Sequence, residues 1–151
     1  VIEDLGSIEI GIRARYAETD AMGVVHHASY VIWLEQGRTE LLRARGVTYR
    51  KIEAAGFFVV LSDLRVRYHA PARYDDLVLL RATLERPRSR QLSFTYELRL
   101  AETGALLVSA RSEHIVVSRA SGRPTRLPPG ILTALGSEQT TQGDQHSKIG
   151  R

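Results

Sequence analysis

Between residues 29 and 44 the apolar side chains follow a helical period, and almost everywhere else in this 151-residue chain they alternate. Tyr30, Trp33, Leu34, Leu41 and Leu42 recur at spacings of three, four or seven, so they line one side of a helix. Gly46 is placed to stop that helix as a C-terminal cap. Gly37, inside it, costs roughly 1 kcal/mol against alanine. Close packing of the helix backbone on a sheet would offset that cost. A shorter helical piece follows at 48–55 and ends at Gly56.

The alternating segments supply the sheet. In 9–17, Ile10, Ile12, Ala14 and Tyr16 alternate with Gly11, Arg13 and Arg15. After the helices, Val60, Ser62, Leu64, Val66 and Tyr68 oppose Leu61, Asp63, Arg65 and Arg67. A turn signal at Pro71 and Asp75-Asp76 leads to Val78, Leu80, Ala82 and Leu84, and then to Leu92, Phe94, Tyr96, Leu98 and Leu100. Residues 105–117 form a last run rich in β-branched residues, closed by Ser121-Gly122-Arg123-Pro124. One strand, one long helix and four successive strands predict an α+β fold, with the helix on one face of a mostly antiparallel sheet. The other face would then need cover, which predicts at least a dimer. Residues 1–136 read as one domain. Residues 137–151, polar and without periodicity, read as a disordered tail that holds His146.

Apolar residues make up 43% and charged residues 25%, the balance of a water-soluble domain. No apolar run is long enough to span a bilayer, so the expected location is the cytoplasm. Without cysteine there is no disulfide, no thiol nucleophile and no cysteine-bound zinc. The formal charge of +4 suits an anionic partner. It is carried almost wholly by arginine, whose planar fork can hold phosphate bidentately. Nucleic acid is a poor match, because the arginine-rich turn at 86–90 lacks the interleaved aromatics of such a surface.

The chemistry is concentrated in 16–30. An acid (Asp20), a flexible glycine (Gly23) and two histidines (His26, His27) fall within eight positions between a strand and a helix start. A helix that begins near His27 or Ala28 presents unpaired backbone N–H groups and the positive end of its dipole. An oxyanion that forms on a carbonyl carbon needs such donors. A carboxylate beside it can attack the carbonyl or activate water. Acyl transfer or hydrolysis is a coherent reading. Asp20 also suits a plain cap. A metal site is disfavoured, because adjacent histidines diverge and no second cluster completes a ligand set. His69 and His114 fall in strand patterns and read as structural residues. Glu35 on the helix is a candidate for orienting a catalytic group.

The run YAETDAMGVVHHASYVIWLE resembles the signature of the hotdog-fold thioesterases of the 4-hydroxybenzoyl-CoA thioesterase type. It looks closest to their bacterial Tol-Pal-associated acyl-CoA thioesterase branch. The core is Asp20-x-x-Gly23-Val24-Val25-x-His27-x-x-Tyr30, supported by Trp33-Leu34-Glu35, Gly37-Arg38-Thr39-Glu40 and Tyr74-Asp75-Asp76. The likeness extends over about 13–126. It implies a hotdog fold, a five-stranded sheet wrapped around one long helix, with active sites at the interfaces of a homodimer or homotetramer. It implies Asp20 as catalytic nucleophile or general base. His27 is implied as its partner, with a backbone N–H at the thioester carbonyl. Gly23, Val25, His26 and Tyr30 would then line the substrate, with His26 standing where the branch usually has tyrosine. Arg88 and Arg90, and also Arg126, match groups that meet the phosphates of coenzyme A, with Arg86 or Arg123 as substitutes. Coenzyme A would be part of the substrate, and no cofactor or metal is expected. Two other functions fit such a fold. One is a non-catalytic module that holds acyl-CoA or docks an acyl-carrier or envelope-associated protein. The other is a hydratase or dehydratase, whose different His-plus-acid arrangement is not found here.

Overall fold

The computed structural model describes residues 6–136, so the expectations for 137–151 lie outside the described residues. Strand β1 (Ser7–Arg13) turns Ile8, Ile10 and Ile12 to one side. There they pair in register with Ala82, Leu80 and Val78 of β3 (Leu77–Leu84). The alternation in β4 (Gln91–Leu100) does the same for Leu92, Phe94, Tyr96 and Leu98, all buried. With β2 (Phe57–Tyr68) and β5 (Leu106–Ser118) the sheet has the order β1-β3-β4-β5-β2, and every neighbouring pair is antiparallel.

Helix α1 (His27–Ala44) lies on the inner face, mainly across β1 and β3, and buries Tyr30, Trp33, Leu34, Leu41 and Leu42. Each such side chain contributes roughly 1.5–3 kcal/mol by leaving water. Gly37 is where the helix backbone touches the sheet: a Cβ there would run into the Leu80 side chain and lie 3.5 Å from the Ala82 Cβ. The expected compensation for that glycine is therefore present. Gly46 (φ +72°) ends α1, and Gly56 (φ +99°) follows the short helix α2 (Tyr49–Ala54).

Four expectations need correction. The first strand stops at Arg13 rather than running to 17. Glu18 takes the Arg15 N–H on its carboxylate at 2.8 Å and folds Tyr16–Glu18 into a single 3-10 turn. In β2 a bulge between Leu61 and Asp63 breaks the even alternation. Val60 is thereby sent to the face opposite Leu64 and Val66, because one extra residue flips every side chain beyond it. A six-residue helix, α3 (Pro129–Ala134), was not legible in the sequence. Leu135, just beyond it, is buried. Finally, the outer face of the sheet is polar at its centre and apolar only toward β2, so the expected need for cover is confined to that side. Arg81 pairs with Glu97 and Thr83 with Thr95 across β3 and β4, and Arg111 bridges Glu85 at 3.0 Å and Glu113. Exposed apolar groups gather at the edge strand β2, at Phe58, Val60 and Leu61, with Ile115 of β5 paired to Val60. Among the described residues no helix is long and apolar enough to cross a membrane.

Candidate active site

The segment after the 3-10 turn closes on itself. Thr19 bridges Val25, the Asp20 N–H donates to the Val24 carbonyl at 2.8 Å, and the Gly23 N–H donates back to the Asp20 carbonyl at 3.0 Å. Gly23 sits at φ +78°, a conformation that side chains other than glycine's resist, so the tight return depends on it. The Val25 N–H then donates to the Ala72 carbonyl at 2.8 Å, which seats the loop against 70–76. The loop holds Asp20 beside the start of α1. One carboxylate oxygen, Oδ1, accepts the Met22 N–H at 2.8 Å in a local turn. Asp20 is thus not the helix cap.

His26 is the cap. Its Nδ1 accepts the Ala28 N–H at 3.1 Å, which leaves the proton of the neutral ring on Nε2. The His26 carbonyl accepts the Ser29 N–H at 2.9 Å. Ala28 and Ser29 are therefore satisfied, and the His27 N–H has no partner among the described residues. That leaves one free donor at the positive end of an 18-residue helix. The His27 ring stacks on that of His26, with centroids 4.1 Å apart. Its carbonyl accepts the Tyr68 hydroxyl at 2.9 Å.

Asp20, His27, Val25 and Tyr30 line one cavity of about 320 Å³, together with Met22, Val24, Tyr68 and Pro71. Tyr30 is buried in its floor, edge-on to Tyr68 and Trp33, and its hydroxyl accepts the Ala72 N–H at 2.9 Å. Burial, with the nearby hydroxyl of Tyr68 and the charges of Asp76 and Asp20, pushes the Tyr30 phenol above its ordinary range, against the pull of the Ala72 hydrogen bond. Gly23 and His26, named as substrate residues, are not among the lining groups; they shape the loop and cap the helix.

The arginines lie elsewhere. Arg126 lines a second cavity of about 430 Å³ with Phe57, Ser89, Leu127 and Pro128. The Leu127 N–H donates to the Ser89 carbonyl at 2.7 Å, so Arg88 and Arg90 stand beside it in the β3–β4 turn. This end of the sheet carries the first residue of β2, whereas the Asp20 cavity carries the last, Tyr68. Twelve residues of strand separate the two by roughly 35 Å at ~3.3 Å per residue. Within one chain, Arg88, Arg90 and Arg126 do not reach Asp20.

Sequence reasoning missed Tyr68 and Glu18. Tyr68 had a weak signal, as the last residue of its strand's apolar face. Glu18 had none, because its role comes from contacts 15 residues away, at Trp33. Glu35 forms a long ion pair with Arg38 at 3.8 Å and does not line the Asp20 cavity. His69 bonds Ser109 at 2.8 Å through its ring, at the rim of the cavity. His114 is buried, and its ring lies 2.9 Å from the Ser112 hydroxyl.

Residues 14–135 match the model of the Thioesterase-like superfamily. The acyl-CoA thioester hydrolase YbgC of Escherichia coli is 36% identical over 121 residues, covering 80% of this chain and 90% of its own length. The crystal structure of protein TT1821 from Thermus thermophilus superposes with a TM-score of 0.78 at 37% identity, over 84% of this chain and 95% of that one. A 1,4-dihydroxy-2-naphthoyl-CoA thioesterase from Synechocystis shares the fold, with a TM-score of 0.80 at 22% identity over 86% and 96% of the two chains. An antiparallel sheet of this order around one long helix, matched along nearly its whole length, makes the chain a hotdog-fold thioesterase of the Thioesterase-like superfamily.

Proposed function

We propose that this protein hydrolyses acyl-CoA thioesters to free coenzyme A and a carboxylic acid, with Asp20 and the N-terminus of α1 as the reacting site. The observation that carries this reading is the meeting of the Asp20 carboxylate and the unpartnered His27 N–H at one cavity. A thioester carbonyl oxygen at that N–H gains negative charge as its carbon is attacked, and the helix end stabilises it. Asp20 supplies the attack, either directly, to give an acyl-enzyme anhydride that water cleaves, or by taking a proton from the attacking water. The CoA thiolate leaves and is protonated, and in this reading the His27 side chain, which lines the cavity, assists that transfer. Coenzyme A enters as part of the substrate, and no step requires a further cofactor.

The active unit in this reading is a dimer or a tetramer, built on antiparallel pairing of β2 edges. The exposed Phe58, Val60 and Leu61 on that unpaired edge support it. A twofold axis across β2 brings the Phe57 end of one copy to the Tyr68 end of the other. The Arg88, Arg90 and Arg126 cluster of a second copy then faces the Asp20 cavity and holds the CoA phosphates. The core Asp20-x-x-Gly23-Val24-Val25-x-His27-x-x-Tyr30 and the run Gly37-Arg38-Thr39-Glu40 support the Tol-Pal-associated branch, with His26 in place of its usual tyrosine as the departure, and a cytoplasmic location suits a CoA ester.

The test is thiol release from short, medium, long and aromatic acyl-CoAs, by wild type and Asp20→Asn. Turnover that collapses in the variant is the expected result. No release alongside tight acyl-CoA binding would replace this reading with that of a binding module.

A further inference from the structure

Glu18 is the one carboxylate among the described residues that the fold buries, with 7% of its surface exposed. Both of its oxygens are engaged. Oε1 accepts the Arg15 N–H at 2.8 Å and the Arg15 Nε–H at 3.2 Å, and Oε2 accepts the indole N–H of Trp33 at 2.5 Å. Its main-chain carbonyl accepts the His26 N–H at 2.8 Å and the Ser29 hydroxyl at 3.2 Å. Burial alone would raise the Glu18 pKa, but the donors from Arg15 and Trp33 outweigh it and hold the carboxyl below its ordinary range. The group is charged at neutral pH and stays paired.

These contacts have one geometric result. The hydrogen bonds that join the 3-10 turn to the cap and first two turns of α1 all end on Glu18. Asp20 follows two residues later, in a loop otherwise tied to itself and to Ala72. His27 follows the His26 that Glu18 holds. One buried residue thus ties the turn before Asp20 to α1, while the loop after Asp20 meets α1 separately, where the Val25 N–H donates to Ala72 and the Ala72 N–H to the Tyr30 hydroxyl. A simple surface turn needs no buried charge to form, and a helix already capped by His26 needs no second anchor.

We propose that Glu18 is a positioning residue that sets the distance between the Asp20 carboxylate and the His27 N–H by clamping the turn to α1. The proposal rests on the reading of Asp20 and His27 as the reacting groups. Its consequence is specific: loss of the clamp misplaces the attacking group without removing the pocket that binds the acyl chain. The loss belongs in kcat and not in KM.

The experiment measures kcat and KM on the best acyl-CoA of the panel, with thermal melts to confirm folding, for Glu18→Ala, Glu18→Gln, Trp33→Phe and Asp20→Asn. A folded Glu18→Ala is expected to lose about 100-fold in kcat at unchanged KM, the scale of an ångström of misplacement. Glu18→Gln keeps one oxygen for the Trp33 indole and is expected to recover about tenfold of that loss. Trp33→Phe removes the indole N–H together with part of a buried ring and, where its melt shows it folded, decides the matter if Glu18→Ala does not fold: about tenfold lower kcat at unchanged KM supports the clamp. Wild-type kcat in a folded Glu18→Ala or in Trp33→Phe overturns it, as does a loss confined to KM. Asp20→Asn with undiminished turnover overturns the underlying reading instead, whatever the Glu18 variants do.

Discussion

The Tyr68 hydroxyl donates to the carbonyl of His27 at 2.9 Å, so the last residue of β2 is fastened to the first residue of α1. The bond joins two residues that line the Asp20 cavity and couples the sheet edge to the helix end that carries the free N–H. Burial pushes the Tyr68 phenol above its ordinary range, so the hydroxyl remains a donor throughout the neutral range.

Tyr68→Phe keeps the ring contact with Tyr30 and removes only that hydrogen bond. The expected cost is about 1 kcal/mol of stability, read from urea unfolding. The peptide that presents the His27 N–H loses an anchor, so kcat should fall as well. A variant equal to wild type in both would show that the bond is incidental.

Gly37→Ala tests the packing of α1 on β3. Helix propensity alone favours alanine by roughly 1 kcal/mol. The added methyl meets Leu80 and Ala82, and overpacking of this kind costs about 1–3 kcal/mol. The net expectation is a destabilised protein, measured as a lower Tm. A higher Tm would mean that Leu80 moves aside freely.

His114 should make stability depend on pH. Burial and the neighbouring Arg38 charge push its imidazole down to about 4, whereas the unfolded chain titrates near 6.5. The unfolded state therefore takes up the proton first as pH falls. The stabilisation is complete above about pH 6.5 and drains away as pH falls to about 4, by about 3 kcal/mol in all. Chemical unfolding at a series of pH values should show that slope. His114→Gln, which keeps a polar partner for Ser112, should flatten it in that window.

Mixed dimers test whether the arginine end of one copy serves the Asp20 of another. Asp20→Asn and Arg126→Ala homodimers should each be impaired, the first in kcat and the second in KM. Co-expressed and purified as heterodimers, they contain one site with both residues intact. Recovery of about half of wild-type activity at low substrate is the expected outcome under this arrangement. Activity no higher than the mean of the two homodimers would show that Arg126 does not serve the Asp20 of the other copy.

The alternation of Leu92, Phe94, Tyr96 and Leu98, the stripe from Tyr30 to Leu42 and the stop at Gly46 were all legible in the sequence, because each is a local period that one element expresses by itself. The nearness of Asp20 and His27, which line one cavity from a short loop and the helix start that follows it, is likewise a matter of closeness along the chain. Burial of Glu18 under Trp33 was not legible, nor was the closure of Tyr68 onto His27, because each joins residues far apart in sequence. The bulge after Leu61 is likewise set by pairing with β5, not by its own residues. Arg126 shows the limit most clearly. The sequence determines that it is a cation beside a proline-rich turn, but only the strand order puts it at the far end of β2 from Asp20. A period fixes which side of an element is apolar; which elements meet, and so which side chains share a cavity, depends on how the sheet and helix pack.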